Sequence, residues 1–349
     1  LTEPLPENLK TRVIDQAEGN PFYIEELINH IAGHQGVDLD SISLPTSLRS
    51  LILSRVDQLA ANEQVLLRVA SVIGRLFRAS WVVGSQPGIG VPAEIQQQLA
   101  RLSELELTLL DRPEPELVYL FKHVLTQEVM YTSLAAQLRA TLHERVAVFI
   151  ENTYPEQQAL HLDALAYHYG NTSLTEKQRV YFRRAGDAAT ARYAPESAVY
   201  YYERLLPLLD DDNTVDVRIA YGRMLAMAGQ WDAAMAAFMQ IIDGKSDDIQ
   251  RAHARLELGT LFANRGQFDE ALVQLQAGQA ALEGLGDAAG LITALNKLSF
   301  TRLNQMAFED ALAYAEQHLT LATGADEPIA LSDAHQNIGL VQMYTGGLD

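Results

Sequence analysis

GRMLAMAGQWDAA, Gly222 to Ala234, runs from one apolar-patterned segment into the next across the turn Ala228-Gly229-Gln230-Trp231-Asp232. A small residue stands at each end, twelve positions apart. The same spacing returns at Gly186 and Ala198, Gly259 and Ala271, and Ser299 and Ala311. The first members follow one another at 36, 37 and 40 residues, and Gly339 opens a further unit after another 40. The turns Arg265-Gly266-Gln267-Phe268-Asp269 and Met306-Ala307-Phe308-Glu309-Asp310 again place an aromatic ring just before an acidic helix start. Tyr202, Phe238, Leu275 and Ala315 come four residues after the second small residue, on the same helical face. Two helices that pack this closely need Gly, Ala or Ser where their backbones meet.

Small residues facing one another across a helical hairpin, in phase, are the signature of the tetratricopeptide repeat, whose basic unit is about 34 residues. The spacing predicts an α-solenoid over 176–349 with its last unit truncated. The extra length per unit is expected in longer helices or in loops such as Gly284 to Gly290. Stacked hairpins offer a groove for a protein or peptide ligand. Tyr193, Tyr200, Tyr201, Tyr221, Arg218, Asn264 and Asn296 are candidates to line it, although tyrosines at helical spacing also read as inter-repeat packing.

The first half reads differently. Helical patterns cover Leu9 to Ala17 and Pro21 to Ala32, broken by Glu18-Gly19-Asn20-Pro21, with Gly33 and Gly36 as stops. Thr46 or Ser47 is expected to cap the next helix, and Asn62 the one after, which Gly74 ends. GSQPGIG, Gly84 to Gly90, lacks the Lys-Ser/Thr end of a phosphate loop and reads as an ordinary connection. A helix from Pro92 precedes two short apolar runs, Leu107 to Leu110 and Leu117 to Phe121, joined by a proline-containing turn. Helices followed by two strands predict a winged-helix-like module over 46–135. Its helix before the wing carries Glu94, Glu104 and Glu106 against Arg101, which argues against reading DNA. Residues 1–45 precede this module, and 136–175 are expected to form connecting helices or a capping hairpin before the repeats. The expected fold is therefore mainly α.

Composition narrows the function. Of the 349 residues 48% are hydrophobic and 20% charged, as in a folded soluble chain. With 45 acidic against 26 basic residues the formal charge is -19, which repels nucleic-acid backbones. No apolar run is long enough to span a membrane. The lack of cysteine excludes disulfides and thiolate chemistry and fits a cytoplasmic setting. No motif assembles a catalytic set: His143-Glu144 lacks a second histidine at metal-protease spacing, His30 and His34 are followed by a loop, and His161 and His168 have no evident third ligand. Neither a catalytic nor a metal site is expected. The chain starts without Met and stops inside a repeat, so it is expected to be a piece of a longer protein.

Two stretches carry a family resemblance. EGNPFYIEELINHI (Glu18 to Ile31), followed by LPTSLRSLILSRVDQLAANEQVLLRVASVIG, resembles the end of the helical lid and the start of the winged helix in AAA/STAND signal-transduction ATPases. YLFKHVLTQEVMYTSLAAQLRATLHERVAVFIE resembles the segment between wing and repeats in the bacterial regulators that join such an ATPase to an adenylate/guanylate cyclase domain and tetratricopeptide repeats. The resemblance implies that 1–45 ends the ATPase lid. It implies that Gly19 and Pro21 belong to a Gly-x-Pro packing on adenine, and that His123 senses a phosphate, with Lys122 a weaker candidate. His123 lacks the family's flanking Met and Asp, since Lys122 precedes it and Val124 follows. The phosphate loop and the cyclase domain have no counterpart here. ATP or ADP with Mg is thus implied for the parent protein and no cofactor for this segment.

Together these readings predict a regulatory segment of a cytoplasmic signalling ATPase, not itself an enzyme. It would couple a partner on the repeats to an upstream nucleotide-binding domain, without nucleic acid or membrane as partner. The alternatives are a repeat scaffold without nucleotide coupling, or part of a LuxR-type transcription regulator.

Overall fold

The computed structural model describes residues 7–17, 19–33, 47–210 and 214–346. It divides into two compact units, Leu1–Leu174 and Thr175–Asp349.

In the first unit α1 (Glu7–Ala17) and α2 (Pro21–Gly33) form a hairpin, followed by α3 (Leu48–Asp57) and α4 (Ala61–Ile73). Leu9, Val13 and Ala17 of α1, Leu27 and Ile31 of α2, and Leu51 of α3 share one core. Ser47 caps α3 through its hydroxyl, which accepts the Ser50 N–H at 3.2 Å. At α4 the expected cap is corrected. Asn62 lies inside the first turn, and the Glu63 carboxylate reaches back to accept the Ala60 N–H at 2.9 Å. Leu66, Leu67, Val69, Ala70 and Val72 are all buried, so α4 is apolar on nearly every side. It is surrounded by α5 (Ala79–Ser85), α6 (Pro92–Glu104), α7 (Val124–Ser133) and α8 (Ala136–Thr153).

Three strands, β1 (Leu76–Arg78), β2 (Thr108–Arg112) and β3 (Val118–Phe121), make an antiparallel sheet in the order β1–β3–β2. Sequence reading found the last two but missed β1 and α5. The segment read as the loop Gly84 to Gly90 begins inside α5, where a Cβ at Gly84 would lie 1.9 Å from the Phe149 ring of α8. That glycine is a packing contact. α9 (Leu162–Gly170) packs on α8. In α7 Val124 is exposed, while Val129 and Met130 are buried.

The second unit is a tetratricopeptide-like α-solenoid. Its hairpins are α10 (Thr175–Ala191) with α11 (Pro195–Leu205), α12 (Val215–Met227) with α13 (Trp231–Ile242), α14 (Asp248–Asn264) with α15 (Phe268–Leu285), and α16 (Ala288–Asn304) with α17 (Phe308–Ala325). α18 (Pro328–Thr345) packs on α17 and α16. Consecutive hairpins share cores: Leu225, Phe238 and Leu261 join α12, α13 and α14, and Leu256, Leu275 and Leu298 join α14, α15 and α16.

The in-phase glycines sit where the helices cross. An added Cβ would lie 2.6 Å from Tyr202 at Gly186, 2.5 Å from Phe238 at Gly222 and 2.6 Å from Leu275 at Gly259. Ser299 occupies the same place and donates its hydroxyl to the Ala311 carbonyl at 2.9 Å. Ala198, Ala234, Ala271 and Ala311 are fully buried opposite them. Gly339, in α18, has nothing within 4 Å of an added Cβ.

The extra repeat length lies in the helices and not in a loop over Gly284 to Gly290. α15 continues to Leu285, Gly286 ends it with φ +71°, and the Asp287 carboxylate caps α16 by accepting the Gly290 N–H at 2.9 Å. Of the acidic run before α12, 211–213 lie outside the described residues, as do Glu18, His34, Gly36 and Thr46.

Candidate functional site

The first helices of successive hairpins touch from α12 to α14, from α14 to α16 and from α16 to α18. No comparable contact joins α13 to α15 or α15 to α17. The first helices therefore form the inner side of this unit, and two adjoining cavities open along them. A cavity of about 450 Å³ between α12, α13 and α14 is lined by Met224, Met227, Trp231, Phe238 and Leu261, with Arg223 and Glu257 among its walls. One of about 290 Å³ between α14, α16 and α18 is lined by Asn296, Lys297, Phe300, Asp333, Gln336 and Asn337. Thr260 and Asn264 belong to both.

An ion network crosses the seam. Arg223 on α12 donates through Nε and a terminal nitrogen to both Glu257 oxygens on α14, at 2.9 and 2.8 Å. Lys297 on α16 lies 3.1 Å from Glu257 and donates to the Thr260 hydroxyl at 2.8 Å. Burial pushes the Glu257 carboxyl up, but the Arg223 hydrogen bonds and the charges of Lys297 and Arg223 outweigh it and hold it at about 2. Farther along, the Asn337 side-chain amide donates to the Asn296 oxygen at 2.7 Å.

Of the tyrosines and polar residues predicted for a groove, Asn264 and Asn296 line these cavities. The others do not. Arg218 faces a separate polar cavity with Gln240 and Lys245. Tyr201 is buried, with Tyr200 edge-on against it, and Tyr221 packs into the α12–α14 core. Tyr193 is the turn residue between α10 and α11, 80% exposed with φ +54°.

Sequence reading missed Arg223, Glu257, Lys297 and Asn337. The signal was their phase: Glu257, Lys297 and Asn337 each stand two residues before the small residue of their own first helix.

In the first unit the turn before α2 and the segment after β3 meet. Gly19 takes φ +80°, and Asn20 caps α2 by accepting the N–H groups of Phe22 at 3.1 Å and Tyr23 at 3.3 Å. Pro21, exposed, begins the helix, and Phe22 beside it stacks on His123 with ring centroids 3.8 Å apart. Glu25, one turn on, accepts from Lys122 at 2.5 Å and lies 3.6 Å from His123 Nε2, which makes no hydrogen bond. Lys122 also pairs with Glu106 at 3.1 Å. The Lys122 hydrogen bond holds the Glu25 carboxyl below its usual range. Burial lowers the His123 imidazole, more than the Glu25 charge raises it, so the ring favours its neutral form.

Elsewhere in this unit His143 and His168 are buried with their Nδ1 atoms 2.9 Å apart, and Tyr131 lies 3.0 Å from His143 Nε2. His161 is separate, packed between the Trp81 and Tyr154 rings. Among the described residues no group of three His, Cys, Asp or Glu is placed to hold a metal ion. No described helix is long and apolar enough to cross a membrane.

No protein-family model matches the chain. A curated relative, an uncharacterized protein of Rhizobium meliloti (strain 1021), is 26% identical over 198 residues, which is 54% of this chain and 19% of that protein. The chain thus spans about a fifth of its curated relative.

Among solved structures it is similar to the signal transduction ATPase with numerous domains (STAND) protein with a tetratricopeptide repeat sensor from Pyrococcus horikoshii. The identity is 14%, with 98% of this chain and 51% of that one covered, at a TM-score of 0.47. Aspartyl phosphate phosphatase F from Bacillus subtilis gives 12% identity, 98% and 81% coverage and a TM-score of 0.46. YrrB, described as a tetratricopeptide protein with an unusual peptide-binding site, gives 18%, 55%, 90% and 0.36.

Proposed function

We propose that the second unit is the sensing arm of a cytoplasmic signal-transduction ATPase. It takes a protein or peptide segment along its first helices, and the first unit relays occupancy to a nucleotide-binding domain elsewhere in the whole protein. The observation that carries the reading is the pair of adjoining cavities on the inner side of the repeats, one apolar and one rich in amides, a combination suited to a polypeptide.

The strand order β1–β3–β2, with α3 to α6 placed before the β2–β3 hairpin, supports a winged-helix-like module over 46–135. The meeting of the Gly19–Pro21 turn with His123 through Phe22 supports a nucleotide contact there. On this reading ATP or ADP with Mg belongs to the whole protein, and a class III nucleotide cyclase is its candidate output. The chain's charge of -19 speaks against nucleic acid as the partner of this segment.

The relay is a population shift, in which the partner must bind one state of the ATPase better than the other. The test is the nucleotide release rate of the whole protein, measured with and without a groove-binding peptide. A peptide-dependent change is expected, abolished by a charge placed in the apolar cavity. An unchanged rate with the groove saturated rejects the coupling and leaves a repeat scaffold.

A further inference from the structure

The cavity of about 450 Å³ between α12, α13 and α14 falls in the range of about 300–1,000 Å³ usual for small-molecule sites. Of its walls Met224, Phe238 and Leu261 are buried, Trp231 is half-buried and Met227 is 51% exposed. Ala226 and Gly229 add walls with almost no side chain, and a Cβ at Gly229 would meet nothing within 4 Å. The repeat itself does not demand this lining. One unit on, 37 residues later, Met224 and Met227 give way to Leu261 and Asn264, and Trp231 to Phe268. Methionine side chains are flexible and polarisable, and they adapt to an apolar guest of irregular outline.

The charges around the cavity cancel. Arg223 and Glu257 are paired on its wall, Lys297 reaches the same Glu257, and Asp333 lines the adjoining cavity with Lys297. Two cations and two carboxylates leave no net charge to draw an ion. A charged guest would also lose its hydration against apolar walls. Asn264, shared by both cavities, offers an amide to a single polar group.

We propose that this cavity binds an uncharged, largely apolar small molecule with one hydrogen-bonding group. That ligand is distinct from the polypeptide laid along the first helices in the reading above. It occupies space that an apolar side chain of the polypeptide would otherwise take, so the two compete.

The test is a titration of the whole chain with N-phenyl-1-naphthylamine, an uncharged dye that brightens in apolar surroundings. Its sulfonated counterpart, 8-anilinonaphthalene-1-sulfonate, has the same rings and a negative charge. One neutral dye per chain is expected, with the sulfonate at least about tenfold weaker because its charge is stranded among apolar walls. Met227→Asp should abolish binding of the neutral dye. Met343→Asp, on a side chain just as exposed but outside both cavities, should leave it unchanged. Helicity of both variants checks that they fold. Trp231→Phe, with the ring found one repeat on, should keep the dye bound and remove most of the quenching of tryptophan emission that binding causes. No saturable binding, equal affinity for the two dyes, binding that survives Met227→Asp, or quenching that persists in Trp231→Phe overturns this proposal and leaves the polypeptide reading standing. Dye binding as expected, with nucleotide release in the whole protein indifferent to a saturating groove peptide, keeps this proposal and rejects the coupling.

Discussion

Gly222 and Gly339 occupy equivalent positions in their helices yet should respond to alanine with opposite signs. At Gly222 the new methyl would lie 2.5 Å from the Phe238 ring, which is fully buried and cannot swing aside. Gly222→Ala is expected to destabilise the second unit by about 1–3 kcal/mol, the usual penalty for overpacking. Gly339→Ala meets nothing and should stabilise by about 0.5–1 kcal/mol through helix propensity. Chemical denaturation of the two variants checks both.

His143 and His168, buried against one another, should make the fold sensitive to acid. Burial, with Arg139 for the first and His143 for the second, lowers them to about 4 and about 3. The folded values lie below the unfolded one of about 6.5, so the unfolded chain binds more protons between them. Stability is full above about pH 6.5 and falls as the pH drops toward 4, by up to about 1.4 kcal/mol per unit for each ring. His168→Gln keeps a hydrogen-bonding group and removes one titration. The melting temperature of the variant should therefore fall less steeply between pH 6.5 and 4, and an unchanged slope would show that this pair does not govern acid sensitivity.

At the scale of elements, every hairpin turn in the second unit uses the same left-handed residue: Tyr193 (φ +54°), Gly229 (+76°), Gly266 (+74°) and Met306 (+60°), with Gly346 (+76°) closing α18. Two of them carry side chains in a region that disfavours a Cβ. Met306 is 77% exposed and has no packing to lose. Met306→Gly should stabilise by up to about 1 kcal/mol, the relieved strain exceeding the added freedom of the unfolded chain. A lower melting temperature would contradict this.

The same turns show why the hairpins were legible in sequence. Close crossings and left-handed turns each demand a particular residue type at a fixed phase, so the pattern survives without the structure. β1 did not announce itself because Leu76-Phe77-Arg78 is too short to show alternation, and it is a strand only because β3 lies beside it. The ion network and the His143–His168 pair were illegible for a related reason. Their partners come from different helices, 25 or more residues apart, and only packing brings them together. Tyr193 misled because its ring suggested a surface to bind, whereas its backbone marks a turn.

Across the whole chain, the periodic half was read from its own sequence, while the first unit required three-dimensional closure around α4. The formal charge of -19 repels polyanions.

The row of contacts between α12, α14, α16 and α18 has a mechanical consequence. With first helices touching and second helices apart, a rotation of one repeat on the next about that row would move the outer helices more than the inner ones. The second helices stand about 10 Å outside it, so a turn of roughly six degrees at each joint carries them about 1 Å and accumulates from joint to joint. A ligand that turned one repeat on the next about the inner row would therefore displace the outer row most.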